Sequence, residues 1–374
     1  MIYLDNAATT KMFEKGAEIY KEYACHSFFN PSANYSQAIA IAKELDSARG
    51  VLFNKLGASK GQMIFTSGAT ESNNLAIMGG RRNGKWEYVF SMGEHPSVYN
   101  AGKELERQGF IVHFVGLQPN GQIDYRQLES VVNEKTRLIS VMHVSNETGA
   151  INDLTLVDKI RKQHCPKALL HIDGVQAFCK LDFSVDDFSA DFYTISAHKF
   201  HGPKGVGALY VRNINDIKPI VFGGGQEGGY RSGTENVGGI MAMKYAVESI
   251  DICKNFEKVC KLKEIMTAIL SQNNVISIIN DGNFSPYILS VSFAGVNGET
   301  LMRKLQDNGV VVGMGSACSA KKSGNRILES MGKVKEEIKS HIRISFNEFL
   351  SENEVENAGK IILQTYQELW EKVK

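Results

Sequence analysis

The sequence predicts a two-domain α/β protein: a large, mostly parallel seven-stranded sheet covered by helices, joined to a smaller α+β domain. Three observations point there. Between Gln62 and Val211, short β-rich runs alternate with amphipathic stretches, the rhythm of strands joined by crossover helices. After Val211 the texture changes to a glycine cluster, a long helical pattern and further short apolar runs. At 374 residues the chain has room for two or three domains of about 150 residues each.

The seven runs are Gln62 to Thr66, Glu87 to Ser91, Phe110 to Val115, Arg137 to Val144, Ala168 to Asp173, Asp191 to Ser196 and Val206 to Val211. Ligands of such sheets gather where the loops leave the carboxyl ends of the strands. Gly223-Gly224-Gly225 then leads through Arg231-Ser232-Gly233-Thr234 into one helical pattern from Glu235 to Leu270. Val275 to Ile279, Ile288 to Phe293, Val310 to Val312 and Ile342 to Phe346 read as strands, with helices from Glu299 and from Ser351. The expected division is a large domain over 15–249 and a small one over 1–14 and 250–374. No Ser/Gly-rich linker separates them, so they are expected to pack directly.

Composition narrows the function. Apolar residues at 43% and charged residues at 22% exclude a disordered, collagen-like or coiled-coil chain. A net charge of +1 leaves no clustered basic face for direct nucleic-acid or anionic-membrane binding, so small molecules and proteins are the expected partners. The first residues lack a secretory pattern and no apolar run approaches the roughly 18 residues of a spanning helix. Six cysteines without a C-x-x-C pair speak against a zinc site, so no metal is expected, and a reducing cytoplasm is the simplest location.

Six stretches carry possible chemistry. Lys199, in Ser196-Ala197-His198-Lys199, follows a strand; partial desolvation there would depress its pKa and make it a Schiff-base amine, whereas a solvated basic turn is the plainer reading. Asp173 ends an apolar strand and could hold a proton on a pyridinium nitrogen, or simply cap a turn. Thr66-Ser67-Gly68-Ala69-Thr70 opens a hydroxyl-rich helix start that suits a phosphate, or an ordinary cap. His95, in Glu94-His95-Pro96-Ser97, could stack on an aromatic cofactor and relay protons, or be structural. Cys318 sits in the small-residue run Gly313 to Gly324, where Lys321, Lys322 and Arg326 would favour its thiolate; the cysteines between Ile250 and Cys260 read instead as small buried hydrophobes. Arg343 interrupts an alternating strand, either to capture a carboxylate in bidentate fashion or as an exposed residue with an ion-pair partner.

Taken together, from Tyr3-Leu4-Asp5-Asn6-Ala7-Ala8-Thr9-Thr10 to Arg343-Ile344-Ser345, the chain resembles the cysteine desulfurases, pyridoxal-phosphate enzymes of the class V aminotransferase, fold type I group. The Gly315-Ser316-Ala317-Cys318 loop is similar to that of the iron-sulfur-cluster and nitrogen-fixation branch. The resemblance implies that Lys199 forms the Schiff base with pyridoxal 5'-phosphate, that Asp173 pairs with its ring nitrogen and that Gln176 bonds its ring hydroxyl. His95 would stack on the ring and assist proton transfer. Ala69, Thr70, Ser196 and His198 would hold the phosphate, with Thr234 contributed by the second subunit of a homodimer. Asn146 and Arg343 would hold the carboxylate of L-cysteine, and Cys318 would take its sulfur as a persulfide, leaving alanine. The sulfur would pass to an acceptor protein, an iron-sulfur scaffold or a tRNA-thiolating enzyme. Independently of the resemblance, the charges of Lys321, Lys322 and Arg326 beside Cys318 suggest an acidic docking surface on that acceptor.

Three positions depart from the family pattern: Tyr35 stands for a usual histidine, Met314 for a serine or threonine, and Gly174 for an alanine. A selenocysteine lyase or transaminase of the same fold is the enzymatic alternative. A sulfur-relay scaffold is the non-enzymatic one, opposed by the retention of Lys199, Asp173, Arg343 and Cys318.

Overall fold

The computed structural model describes residues 1–279, 282–314 and 325–373, and Cys318, Lys321 and Lys322 lie outside the described residues. The chain begins with β1 (Ile2–Leu4), α1 (Glu14–Cys25) and α2 (Ser36–Lys55). The large sheet then takes β2 (Gln62–Thr66), β3 (Glu87–Ser91), β4 (Ile111–Val115), β5 (Thr136–Met142), β6 (Leu169–Asp173), β7 (Phe192–Ser196) and β8 (Gly207–Val211). Helices α3 (Ala69–Gly80), α4 (Pro96–Arg107), α5 (Tyr125–Val131) and α6 (Leu154–His164) connect these strands.

The spatial order is β2-β8-β7-β6-β5-β3-β4. Only β8 runs antiparallel to its neighbours, so the other six strands deliver their carboxyl ends to one edge. β3, β6, β7 and β8 are buried along their whole length, so they read as mainly apolar runs rather than strictly alternating ones. Separate apolar clusters cover the two faces, one around Leu170, Ile172 and Tyr193, the other around Tyr88, Phe90 and Phe192.

Beyond the sheet come α7 (Val237–Ser249), α8 (Ile252–Leu270), β9 (Ile276–Ile279), β10 (Ile288–Phe293), α9 (Gly298–Asp307) and β11 (Val310–Val312). α10 (Arg326–Ser330), α11 (Lys335–Lys339), β12 (His341–Ser345) and α12 (Glu352–Val373) complete the chain. β12, β10 and β9 form an antiparallel sheet, and β1 pairs in parallel with β11. Leu4 and Ala7 accordingly pack with Val259, Val291, Ile342 and Tyr366 in a third cluster.

The seven sheet strands lie within two residues of their sequence-based bounds. The helical pattern from Glu235 is two helices rather than one, because Asp251 caps the second by accepting from Lys254 N–H. Neither α1 nor α2 was foreseen, although Ala38, Ile41, Leu45, Ala48 and Leu52 bury one stripe at helical spacing. Cys253 is exposed and Cys260 half-buried, against the expectation of buried hydrophobes; Cys165 and Cys179 hold that place instead. Neither cysteine belongs to the packed face of α8, which is Val259, Leu262, Met266 and Leu270.

Candidate active site

A cavity of about 820 Å³ opens where the carboxyl ends of β2, β6 and β7 meet β11 and β12. Ala69, Thr70, His95, Asn146, Asp173, Gln176, Ser196, His198, Lys199 and Arg343 all line it, although they lie on separate strand ends and loops. Thr234 does not; it borders a separate groove of about 200 Å³ with Tyr20, Phe28 and Asn236. Cys318, on the run that follows β11, is outside the described residues.

At one end, β2 turns at Gly68 into α3. Gly68 has φ +149°, a conformation that a side chain would oppose, and no side chain caps the helix it precedes. The unfilled N–H groups at Ala69 and Thr70 therefore suit an anion. Glu71, one residue further, is neutralised by Arg231 at 2.7 Å and does not repel such a ligand. His198, held below its ordinary pKa at about 4 by burial and by neighbouring lysines, is neutral there.

Asp173 lies buried at the end of β6, accepting from Asn73 Nδ2 at 2.9 Å and from Val175 N–H at 3.1 Å. Asn73 was not singled out from the sequence, though it is a polar residue on the buried face of α3. His95 caps α4, its Nδ1 accepting from Ser97 N–H at 3.2 Å. That bond places the neutral ring's proton on Nε2, and burial keeps the ring below its ordinary pKa. Glu94 beside it is fully buried, and desolvation with the nearby Asp173 raises its pKa well above the usual carboxylate range.

Lys199 ends a single 3₁₀ turn after β7 and donates to the carbonyls of Ala7 and Ala8, both at 2.7 Å. Burial above all, then the charges of Lys180 and Arg343, lowers its pKa from 10.5 to about 7 despite the opposing pull of Asp5 and Asp173. A substantial fraction of this amine is therefore neutral near pH 7, the form that attacks a carbonyl carbon. The N-terminal carbonyls that hold it gave no sequence signal, since a backbone acceptor has no residue identity.

Arg343, on β12, is buried rather than exposed. It donates from Nη1 to the Asn146 carbonyl and from Nη2 to Asp5 Oδ1, both at 2.7 Å, so the ion-pair reading of the sequence is present together with the cavity-lining one. Its Nε, like Asn146 Oδ1, is buried without a partner. Arg326 does not face outward as a docking residue. Its guanidinium donates to the carbonyls of Met92 and Glu94 and stacks 4.1 Å over the Tyr99 ring. The departure at Gly174 also has a cause: a Cβ there would meet Tyr193 Cε1 at 1.9 Å.

This donor set fits pyridoxal phosphate: an uncapped helix start for the phosphate, a buried carboxylate for a ring nitrogen and a low-pKa lysine for an aldehyde. No cluster of candidate metal ligands occurs among the described residues.

Comparison with known proteins agrees. The class-V aminotransferase family model matches residues 2–358. A protein named cysteine desulfurase IscS from Anaeromyxobacter sp. (strain Fw109-5) is 36% identical, the alignment covering 99% of this chain and 93% of that one. Among solved structures, a NifS-like protein superimposes with a TM-score of 0.90 at 33% identity, covering 98% of this chain and all of the other. SspA, solved in complex with cysteine, gives 0.84 at 32% identity over 94% of this chain and all of its own. A matched family model over nearly the whole length, a shared fold and a site built for an aldehyde cofactor lead to one conclusion: the chain belongs to the class-V aminotransferases and, among them, to the pyridoxal-phosphate-dependent cysteine desulfurases.

Proposed function

We propose that this chain converts L-cysteine to L-alanine and carries the released sulfur on Cys318 to an acceptor protein. The single observation that supports the reading most is Lys199, an amine with a pKa of about 7 held over the same cavity that Asp173, His95 and Arg343 line. Pyridoxal phosphate, when bound, supplies an electron sink for the substrate carbon that loses its proton. Ala69, Thr70, Ser196 and His198 would bind its phosphate, Asp173 would hold a proton at its ring nitrogen, and Gln176 would bond its ring oxygen. His95 would stack on the ring and offer the Nε2 proton.

Arg343 and Asn146 would anchor the substrate carboxylate, and neutral Lys199 would take the α-proton. The Cys318 thiolate would then attack the substrate sulfur. A sulfur–sulfur bond forms, the carbon–sulfur bond breaks, and its electron pair stays on the substrate, whose protonation gives alanine. Thr234 lies outside this chain's own cavity, and that position supports a role in the site of a partner subunit in a homodimer. The separate apolar clusters support the division into a domain over 15–249 and another over 1–14 and 250–374. Iron-sulfur scaffolds and tRNA-thiolating enzymes are the acceptor classes we favour. A cytoplasmic location is supported by five described cysteines that are all free. No helix among the described residues is long and apolar enough to cross a membrane.

The test is to incubate the pyridoxal-phosphate-loaded protein with L-cysteine and a reductant and to measure alanine and sulfide, beside Cys318→Ala. Alanine from the wild type and almost none from the variant is the expected result. Equal alanine from both would move the nucleophile elsewhere and favour a lyase. Alanine from neither would favour a transaminase or a relay protein.

A further inference from the structure

Behind the cavity lies a second buried lysine that the proposed reaction does not use. Lys180 is 7% exposed, lies in the turn after β6 and does not border the main cavity. Its Nζ donates to Gln176 Oε1 at 2.9 Å. Gln176 in turn donates from Nε2 to the Ala7 carbonyl at 2.9 Å, the same oxygen that accepts from Lys199 at 2.7 Å. The two lysines are thus joined through one amide and one carbonyl.

The chemistry of this chain is directional. An ammonium has three donors and no acceptor, so it accepts only one orientation of a neighbouring amide, with the oxygen toward it. The NH₂ of Gln176 is then turned the other way, toward Ala7 and the cavity that both residues line. One of its two N–H bonds goes to Ala7, and the second is left for a ligand. The charge that does this is itself supported: Lys180 lies 5.5 Å over the Tyr287 ring and shares a small internal space with Lys199, Tyr287 and Glu348. Glu348 is fixed there by His201 and Asn255. An apolar residue would fill the same interior without the desolvation cost of an ammonium, so its retention calls for a role.

We propose that Lys180 is a positioning residue for the cofactor: it orients the Gln176 amide so that an N–H, and not a carbonyl oxygen, faces the ring oxygen of pyridoxal phosphate. The inference rests on the Gln176 contact put forward above. Without the ammonium, the Ala7 carbonyl alone would favour this orientation, and in the flipped amide an acceptor would face the ring oxygen, where two acceptors repel.

The experiment titrates pyridoxal phosphate into cofactor-free protein and measures its dissociation constant, with a thermal melt of each variant. Lys180→Met is expected to weaken binding about tenfold or more, Gln176→Ala by a similar factor, and the double variant no further than either. Lys180→Arg, another donor-only cation, is expected to stay within about threefold of the wild type. Gln176→Glu keeps Lys180 paired and so keeps the fold, yet offers the cavity only an acceptor. It is expected to bind at least as poorly as Gln176→Ala, and it carries the test if Lys180→Met does not fold. Wild-type affinity in Lys180→Met or in Gln176→Glu, losses that simply add in the double variant, or failure of Lys180→Arg to rescue would each overturn the proposal. If Gln176→Ala binds as the wild type does, the Gln176 assignment falls and the proposal with it; if Gln176→Ala is weak and Lys180→Met is not, the proposal alone falls.

Discussion

Asp5 Oδ1 and Arg343 Nη2 stand 2.7 Å apart, which ties the residue just after the first strand to the middle of the last one. Arg343 therefore spends two of its three nitrogens on the protein and keeps Nε for a ligand. A lysine gathers its three donors at one point and cannot span Asp5, the Asn146 carbonyl and a carboxylate as the spread guanidinium does. Arg343→Lys is expected to raise KM for L-cysteine about tenfold or more, with a smaller fall in kcat, because the lost contact serves substrate and transition state alike. Steady-state kinetics of alanine formation decide it, and an unchanged KM would contradict the assignment.

Lys199 titrates from an unusual position. Its folded pKa of about 7 lies below the ordinary 10.5, so between these values the unfolded chain holds a proton that the folded chain does not. Raising the pH through that window accordingly increases stability, and lowering it through pH 7 exposes the full penalty of burying the charge. For reactivity, the rate at which cofactor-free protein condenses with pyridoxal phosphate should rise with a midpoint near pH 7. Lys199→Ala should abolish the labelling of this peptide in mass spectrometry. A midpoint near 10.5 would mean that the amine is solvated.

Gly174 should not tolerate the alanine that the family pattern carries. An alanine Cβ there would overlap the Cε1–Cζ edge of the Tyr193 ring, and Tyr193 is fully buried with its hydroxyl on His143 Nδ1 at 3.0 Å. Gly174→Ala is expected to destabilise the chain by roughly 2–3 kcal/mol in urea unfolding. Tyr193→Leu removes the colliding atoms, so the double variant should be more stable than the sum of the two losses by about 1 kcal/mol or more. Simple additivity would refute the steric account.

Arg326 offers a different kind of check. Two backbone carbonyls and the Tyr99 ring hold its guanidinium, and Arg326→Ala leaves those part-buried acceptors unpaired. A loss of roughly 2 kcal/mol in the purified protein, with no partner present, is the expected result. Unchanged stability would return Arg326 to a role in docking.

The sheet was legible because most of its strands are buried on both faces, which leaves stretches such as Tyr88 to Phe90 and Ala208 to Val211 without a polar interruption. The site was legible where chemistry sits on a side chain at a strand end, as with Asp173 and Lys199. Three things were not. Ala7 and Ala8 act through their carbonyls, and any residue would display the same oxygen. Asn73 reaches Asp173 from another strand-helix unit and leaves no spacing in sequence, while Lys180, four residues after Gln176, reads as an ordinary lysine until its burial is seen. Arg326 reads as a surface charge beside Lys321 and Lys322 until the carbonyls of Met92 and Glu94 are brought to it across the fold.

β1 has an implication for the order of assembly. Its partner is β11, with Ile2 opposite Val310, and the carbonyls at Ala7 and Ala8 reach the site only from that docked position. On the ribosome, the large sheet could condense when its last strand emerges, but the floor beneath Lys199 would still be missing. Capture of the cofactor thus waits for β11 to be made and docked, and a nascent chain arrested before β11, freed of unbound pyridoxal phosphate, should retain none of it.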